Sequence, residues 1–151
     1  MKAARPSDWR TVPLPLKRST VTLDRRFSWQ EIKRMRAGVI PEVMEDKWFI
    51  YWKANTLFFH RSWTGSCLYV VRFAREGDSY RMVEADVNRD PEQYTETRDD
   101  FDARMISFLI DVLLLKREAT FSDLDQDPEN QALKMWSLVG RAMLGEDPKN
   151  E

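Results

Sequence analysis

The chain concentrates its reactive side chains in one word, His60-Arg61-Ser62-Trp63-Thr64-Gly65, where an imidazole, a permanent cation, two hydroxyls and an indole share six consecutive positions. Arg61, assisted by the backbone amides of Gly65 and Ser66, has the fork geometry to hold a phosphate or a carboxylate. Trp63 offers a face on which a base can stack, and His60 is the side chain here that exchanges a proton near neutrality. On a strand, alternation sends His60 and Ser62 to one face and Arg61 to the other, so one ligand meets all three only if the turn twists. The same residues have structural work open to them. Trp63 can cover a sheet edge, Arg61 can pair with an acid on a neighbouring strand, and Ser62 and Thr64 can satisfy turn amides. Nucleophilic catalysis gains little, because Ser62 and His60 stand two apart on one strand and no third group orients the imidazole.

Glu42, Glu45 and Asp46 precede the first apolar strand and suit a general base, a hard cation or a solvated turn. Cys67 lies in the run Cys67-Leu68-Tyr69-Val70-Val71, where a thiol behaves as a small hydrophobe. As the single cysteine it has no internal disulfide partner, which fits a reducing, cytoplasmic compartment. One histidine and one cysteine leave a zinc site short of its usual ligands, and neither a metal nor another cofactor is expected. Asp86-Val87-Asn88-Arg89-Asp90 opens like a calcium loop, but Pro91 stands where glycine is required and Thr97 where glutamate should close it. The stretch Asn88-Arg89-Asp90-Pro91 therefore reads as the turn that leaves the sheet and feeds a helix. Asp111 interrupts an apolar run. Either it is a buried carboxylate paired with Arg104, His60 or a basic residue of the first helix, or it shares an exposed stripe with Arg104 and Ser107, the reading their spacing favours.

These residues need elements to carry them. Pro6, Pro13 and Pro15 keep residues 1–18 extended, and Trp9, Val12, Leu14 and Leu16 make this arm apolar enough to dock on the body or on a second copy. A short strand is expected at 19–23. Ser28-Trp29-Gln30-Glu31 has capping-box spacing, with Phe27 and Ile32 at the staple positions, and Gly38 closes a helix over 29–37. Ten of the eighteen aromatics fall between Trp48 and Tyr80, in strands at 47–53, 56–62, 66–74 and 79–88 separated by short turns. Trp48-Phe49-Ile50-Tyr51-Trp52 is apolar on both faces, so it is central or is covered by helix, arm or partner. A helix capped by Thr97 runs to about Arg117, and a second is expected from Asp127 and Pro128 to Gly145.

The expected fold is α+β: an antiparallel β-meander of four to five strands with helices packed on one face. Residues 1–18 form the arm, 19–145 a single domain and 146–151 a frayed tail. A chain of 151 residues is long enough for a core without disulfide or metal. No apolar run reaches the length of a membrane span, and none marks a secretory leader. Residues 1–40 hold ten Lys/Arg against three Asp/Glu, so this third carries +7 within a chain of net charge −1. That imbalance can attract an anionic partner, but no helix-turn-helix or RNA-binding signature accompanies it. Oppositely charged surfaces that partly satisfy each other, or simply keep the protein in solution, are the favoured account of it.

Three words, Ile40-Pro41-Glu42-Val43-Met44-Glu45-Asp46-Lys47-Trp48-Phe49, Leu57-Phe58-Phe59-His60-Arg61-Ser62-Trp63-Thr64-Gly65 and Val87-Asn88-Arg89-Asp90-Pro91-Glu92-Gln93-Tyr94, resemble the signature of a family of short prokaryotic proteins with no established activity. The resemblance runs from about Phe27 to Arg117 and implies which positions matter without assigning their roles. In a direct hairpin the first two words meet, bringing Glu45, Asp46 and Lys47 beside His60, Arg61 and Ser62. The favoured reading is a binding module for an anionic, nucleotide-like small molecule or a protein partner, with Arg61, Ser62, Trp63 and Lys47 as the binding residues. A hydrolase-type enzyme would use Glu45 or Asp46 as base, His60 as proton carrier and Arg61 as electrostatic stabiliser. A third reading is assembly, as a homo-oligomer that exchanges its N-terminal arm.

Overall fold

The computed structural model describes residues 3–119. Five antiparallel strands, β1 (Arg18–Ser28), β2 (Trp48–Lys53), β3 (Thr56–Arg61), β4 (Cys67–Glu76) and β5 (Ser79–Asn88), form one sheet in the order β1-β5-β4-β3-β2. The helices α1 (Trp29–Met35) and α2 (Asp99–Leu109) pack with the apolar face of that sheet. The architecture is the expected α+β meander, its first strand closing the far edge against β5. The helix expected at 127–145 and the tail at 146–151 lie outside the described residues.

β1 is longer than the alternation at 19–23 suggests. The pattern breaks at Asp24-Arg25, but a register shift between Thr22 and Arg25 absorbs the break, and pairing resumes through Phe27 opposite Tyr80. Such a bulge restores the core-facing side chains to the core face. Ser28 then ends the strand and caps α1 directly: its hydroxyl accepts from Glu31 N (3.1 Å) while the Glu31 carboxylate accepts from Ser28 N (2.8 Å). Gly38, at φ +69°, lets the chain turn back so that Val39 exchanges both backbone hydrogen bonds with Ile50 (2.9 and 3.0 Å). A Cβ there would sit 2.3 Å from the Ile50 carbonyl oxygen, so only glycine allows this approach.

Thr97 does not cap α2. The Glu96 carboxylate takes the amides of Thr97 and Arg98 (3.1 and 3.0 Å), and the helix starts two residues later, with Asp99, Asp100 and Asp102 against its positive end. It also stops before Arg117, widening into a π-helical turn over Ile110–Leu114 and ending at Lys116 with φ +58°. Asp111 is half-buried and not part of a bare stripe: Arg25 of β1 forks onto it (2.8 and 3.2 Å) and also bonds Ser107. The long-range strand β1, not the first helix, supplies this cation. The basic N-terminal third is thus partly neutralised from downstream, through Arg25–Asp111, Arg26–Glu76 and Arg18–Asp86.

β2 is an edge strand, yet both its faces are covered. Trp48 and Ile50 join the helix-side core. Phe49 and Tyr51 lie under the N-terminal arm, where Ala4 and Trp9 pack on them. The arm docks on its own chain, anchored by Ala4 N to the Ala37 carbonyl (2.8 Å) and Val12 N to the Gly65 carbonyl (2.8 Å).

Candidate functional site

The β2–β3 hairpin is direct, pairing Trp48 with Arg61 and Phe49 with His60. Lys47 and Asp46 therefore stand beside Ser62, as the two words require. What the hairpin does with them differs from face to face.

On the arm side the polar groups of the turn are largely bonded within the chain. Ser62 Oγ donates to the Asp46 carbonyl (2.6 Å) and Ser62 N to the Lys47 carbonyl (2.9 Å). Trp63 Nε1 donates to the Met44 carbonyl (2.8 Å), and the Lys47 ammonium lies 4.6 Å from the Trp63 ring centroid. Asp46 folds its carboxylate back onto the amides of Glu42 and Val43 (2.9 and 3.3 Å), whereas Glu45 is exposed. The arm completes the lock: Trp9 Nε1 donates to the Ser62 carbonyl (2.8 Å) and Arg10 to the carbonyls of Trp63 and Thr64 (3.3 and 3.0 Å).

His60 lies beneath this lock, 2% exposed, stacked on Tyr51 at 5.7 Å and 15°. Its Nδ1 is 2.9 Å from the Gly65 carbonyl oxygen, which can only accept, so the proton resides on Nδ1. The bare Nε2 has no hydrogen-bond partner, and burial pulls the imidazole pKa below its usual value. A neutral, enclosed ring whose one bond goes to a carbonyl is not poised to carry protons, and no carboxylate of Glu45 or Asp46 bonds to it. Cys67 is core as expected, 1% exposed, with burial pushing its thiol up to about 12.

On the opposite face Arg61 has a different environment. Its guanidinium carbon lies 4.6 Å from the Trp48 ring centroid, and Trp48 in turn stacks on Tyr69 (5.9 Å, 20°). Burial lowers the Arg61 pKa, an effect the Tyr69 and Tyr94 phenols oppose. Among the described residues it has no carboxylate partner. Instead it lines a cavity of about 380 Å³ with Trp48, Gln93, Tyr94 and Phe101. That volume lies in the range of small-molecule pockets, roughly 300–1,000 Å³.

The cavity owes its far wall to the segment after β5. Buried Asn88 donates to the Cys67 carbonyl (2.9 Å) and to Gln93 Oε1 (2.8 Å), while its own oxygen accepts from Asp90 N (2.8 Å). The turn expected at Asn88–Pro91 thus pins residues 91–96 across the sheet end. Behind it, the fully buried Asp102 of α2 accepts from Tyr94, pairs with Arg89, and has the Tyr69 hydroxyl 3.3 Å away. Burial raises the Asp102 pKa against the opposing hydrogen bonds of Tyr94 and Arg89. Burial also raises both phenols, and the adjoining Asp102 charge adds to it. They remain protonated and already engaged, so they serve as rigid walls rather than as acids or bases.

Of the residues singled out from sequence, only Arg61 lines this cavity. Ser62, Trp63 and Lys47 meet one another in the arm lock, and His60 lies under it. Trp48, Gln93, Tyr94 and Asp102 were not anticipated as site residues. Asp102 did leave a signal, because it falls at the start of the spacing Asp102, Met105, Ile106, Leu109 that marks the buried face of α2. Tyr94 left none beyond its place in the third word. Trp48, Arg61 and Tyr94 come from the three separate words, and the fold joins these words at one cavity. No family model, curated protein or solved structure matches the chain.

Proposed function

We propose that this protein is a binding module for an anionic small molecule, held by Arg61 in the cavity between the β2–β3 end of the sheet and residues 91–96. The observation that carries this reading is the uncompensated charge of Arg61. Arg61 is half-buried, and a cation drawn partly out of water is costly unless it is paired, a role proteins ordinarily give to an acid. Here the acid is missing among the described residues, and the guanidinium faces an aromatic-lined space instead. Arg61 would bind the anion bidentately while the aromatic walls cover the rest of the ligand. Ser62, Trp63 and Lys47 would support the site only indirectly, by fixing the hairpin end. Placement in a cytoplasmic compartment and kinship with short prokaryotic proteins belong to the same proposal.

Arg61→Met separates this reading from a structural one. Methionine keeps an apolar stem over Trp48 and removes the charge. The variant should fold with stability within about 1 kcal/mol of the parent or above it, since replacing an unpaired, half-buried charge by a hydrophobe that keeps the contact with Trp48 costs little. Thermal-shift titration with small carboxylates and phosphates should show stabilisation of the parent and none of the variant. Marked destabilisation of Arg61→Met without ligand would assign the guanidinium to the fold instead.

A further inference from the structure

We infer that the cavity selects a singly charged carboxylate carried on a flat aromatic body and discriminates against phosphate monoesters and polyphosphates, an inference that rests on the Arg61 reading above. Three independent features of the lining point this way.

The first is charge. Among the described residues that line the cavity Arg61 is the one cation, whereas Glu92 and Glu96 both contribute to the wall. Glu96 is engaged with the Thr97 and Arg98 amides and the Arg98 side chain (3.1, 3.0 and 3.3 Å). Glu92 is exposed at the rim and has no cation partner among the described residues. A phosphate monoester brings about −1.5 to −2 charges at neutral pH, and only one of these meets a cation here. The remainder meets no cation among the described lining residues and lies beside the unpaired Glu92. A carboxylate brings a single charge, which Arg61 neutralises.

The second is the supply of donors. The Tyr69 and Tyr94 hydroxyls are committed to each other and to Asp102. Gln93 accepts from Asn88 through Oε1, so its amide nitrogen remains a donor. The Arg61 fork and the Gln93 amide match the two oxygens of a carboxylate, whereas the third oxygen of a phosphate has only the Thr95 hydroxyl, at the exposed rim, among the described lining side chains.

The third is shape. Tyr94 and Phe101, both part-exposed, offer aromatic surface to the space, while Trp48 and Tyr69, 2% and 1% exposed, back it from the core, the Tyr69 and Tyr94 rings crossed at 89°. Flat rings stack or meet edge-on against such walls.

Calorimetric titration at fixed ionic strength tests this with four probes: phenylacetate, indole-3-acetate, AMP and inorganic phosphate. Phenylacetate or indole-3-acetate should bind the parent at least about tenfold more tightly than AMP. Glu92→Gln, an exposed substitution that leaves the core untouched, should narrow that ratio by improving AMP, and Arg61→Met should abolish carboxylate binding. AMP binding as tightly as the carboxylates, or a ratio unmoved by Glu92→Gln, overturns the selectivity while the Arg61 cavity stands. Failure of every probe to bind the parent overturns the cavity reading and the selectivity with it.

Discussion

Adjacent residues of one strand, His60 and Arg61, live in opposite regimes. His60 faces the arm, where the turn is tied down by hydrogen bonds and Phe49 and Tyr51 pack against the ring, with Trp9 stacked behind Phe49. Arg61 faces the helix side, where aromatic walls and a pinned loop leave a charge without a counter-charge among the described residues. A saturated network holds a fold together, whereas an unsaturated cation next to open space is stabilising only once something arrives. The contrast teaches that a dense motif need not be one site: the two-residue period of a strand divides it between a lock and a pocket.

The sharpest way to break the pocket side is Asp102→Ala. It strips Arg89 of its buried partner and takes away the carboxylate that accepts from Tyr94, so a loss of about 3–5 kcal/mol is expected in chemical denaturation. Ligand binding should fall with it, because the wall at 91–96 loses its backing. A loss below about 1 kcal/mol would mean that the network is dispensable.

Breaking the lock side should have a smaller effect. Gly65 sits at φ +79°, and a Cβ there would lie 2.8 Å from the Arg10 carbonyl oxygen. Gly65→Ala should destabilise by about 1–3 kcal/mol through backbone strain and displacement of the arm. Limited proteolysis should then cut the arm faster, while affinity at Arg61 changes little. Equal losses of arm protection and of binding would erase the distinction between the two faces.

The mildest probe is pH. His60 is neutral when folded because burial lowers its pKa, whereas the unfolded chain titrates near the ordinary histidine value of about 6.5. Below that value the unfolded state binds the extra proton, so stability should decline as pH falls, by at most about 1.4 kcal/mol per pH unit from this group. In His60→Phe this part of the acid limb should disappear. The Gly65 carbonyl would keep its bond from Val12 N (2.8 Å), so the fold tolerates the change. An unaltered pH profile would show that His60 does not titrate differently on folding.

Much of the frame was readable in advance because its signals are local. The capping box at Ser28, the turns at Ala54-Asn55 and Gly77, and the direct β2–β3 hairpin follow from backbone preferences a few residues long. The readings that the structure corrected all depended on distant partners. β1 continues past Asp24 because β5 lies alongside, Glu96 holds the amides of Thr97 and Arg98 so that α2 starts only at Asp99, and Asp111 finds Arg25 across 86 positions of chain.

The sequence alone determined that His60 and Arg61 part company, since side-chain alternation is a property of the extended backbone itself. It also determined that Cys67 is core and that the arm must dock, because apolar surface seeks cover wherever it is found. Only the tertiary structure decided which of the two faces is filled. Whether a cation meets an acid or a cavity depends on segments brought together from β2, β3, residues 91–96 and α2, and no spacing within any one of them encodes what the others leave empty.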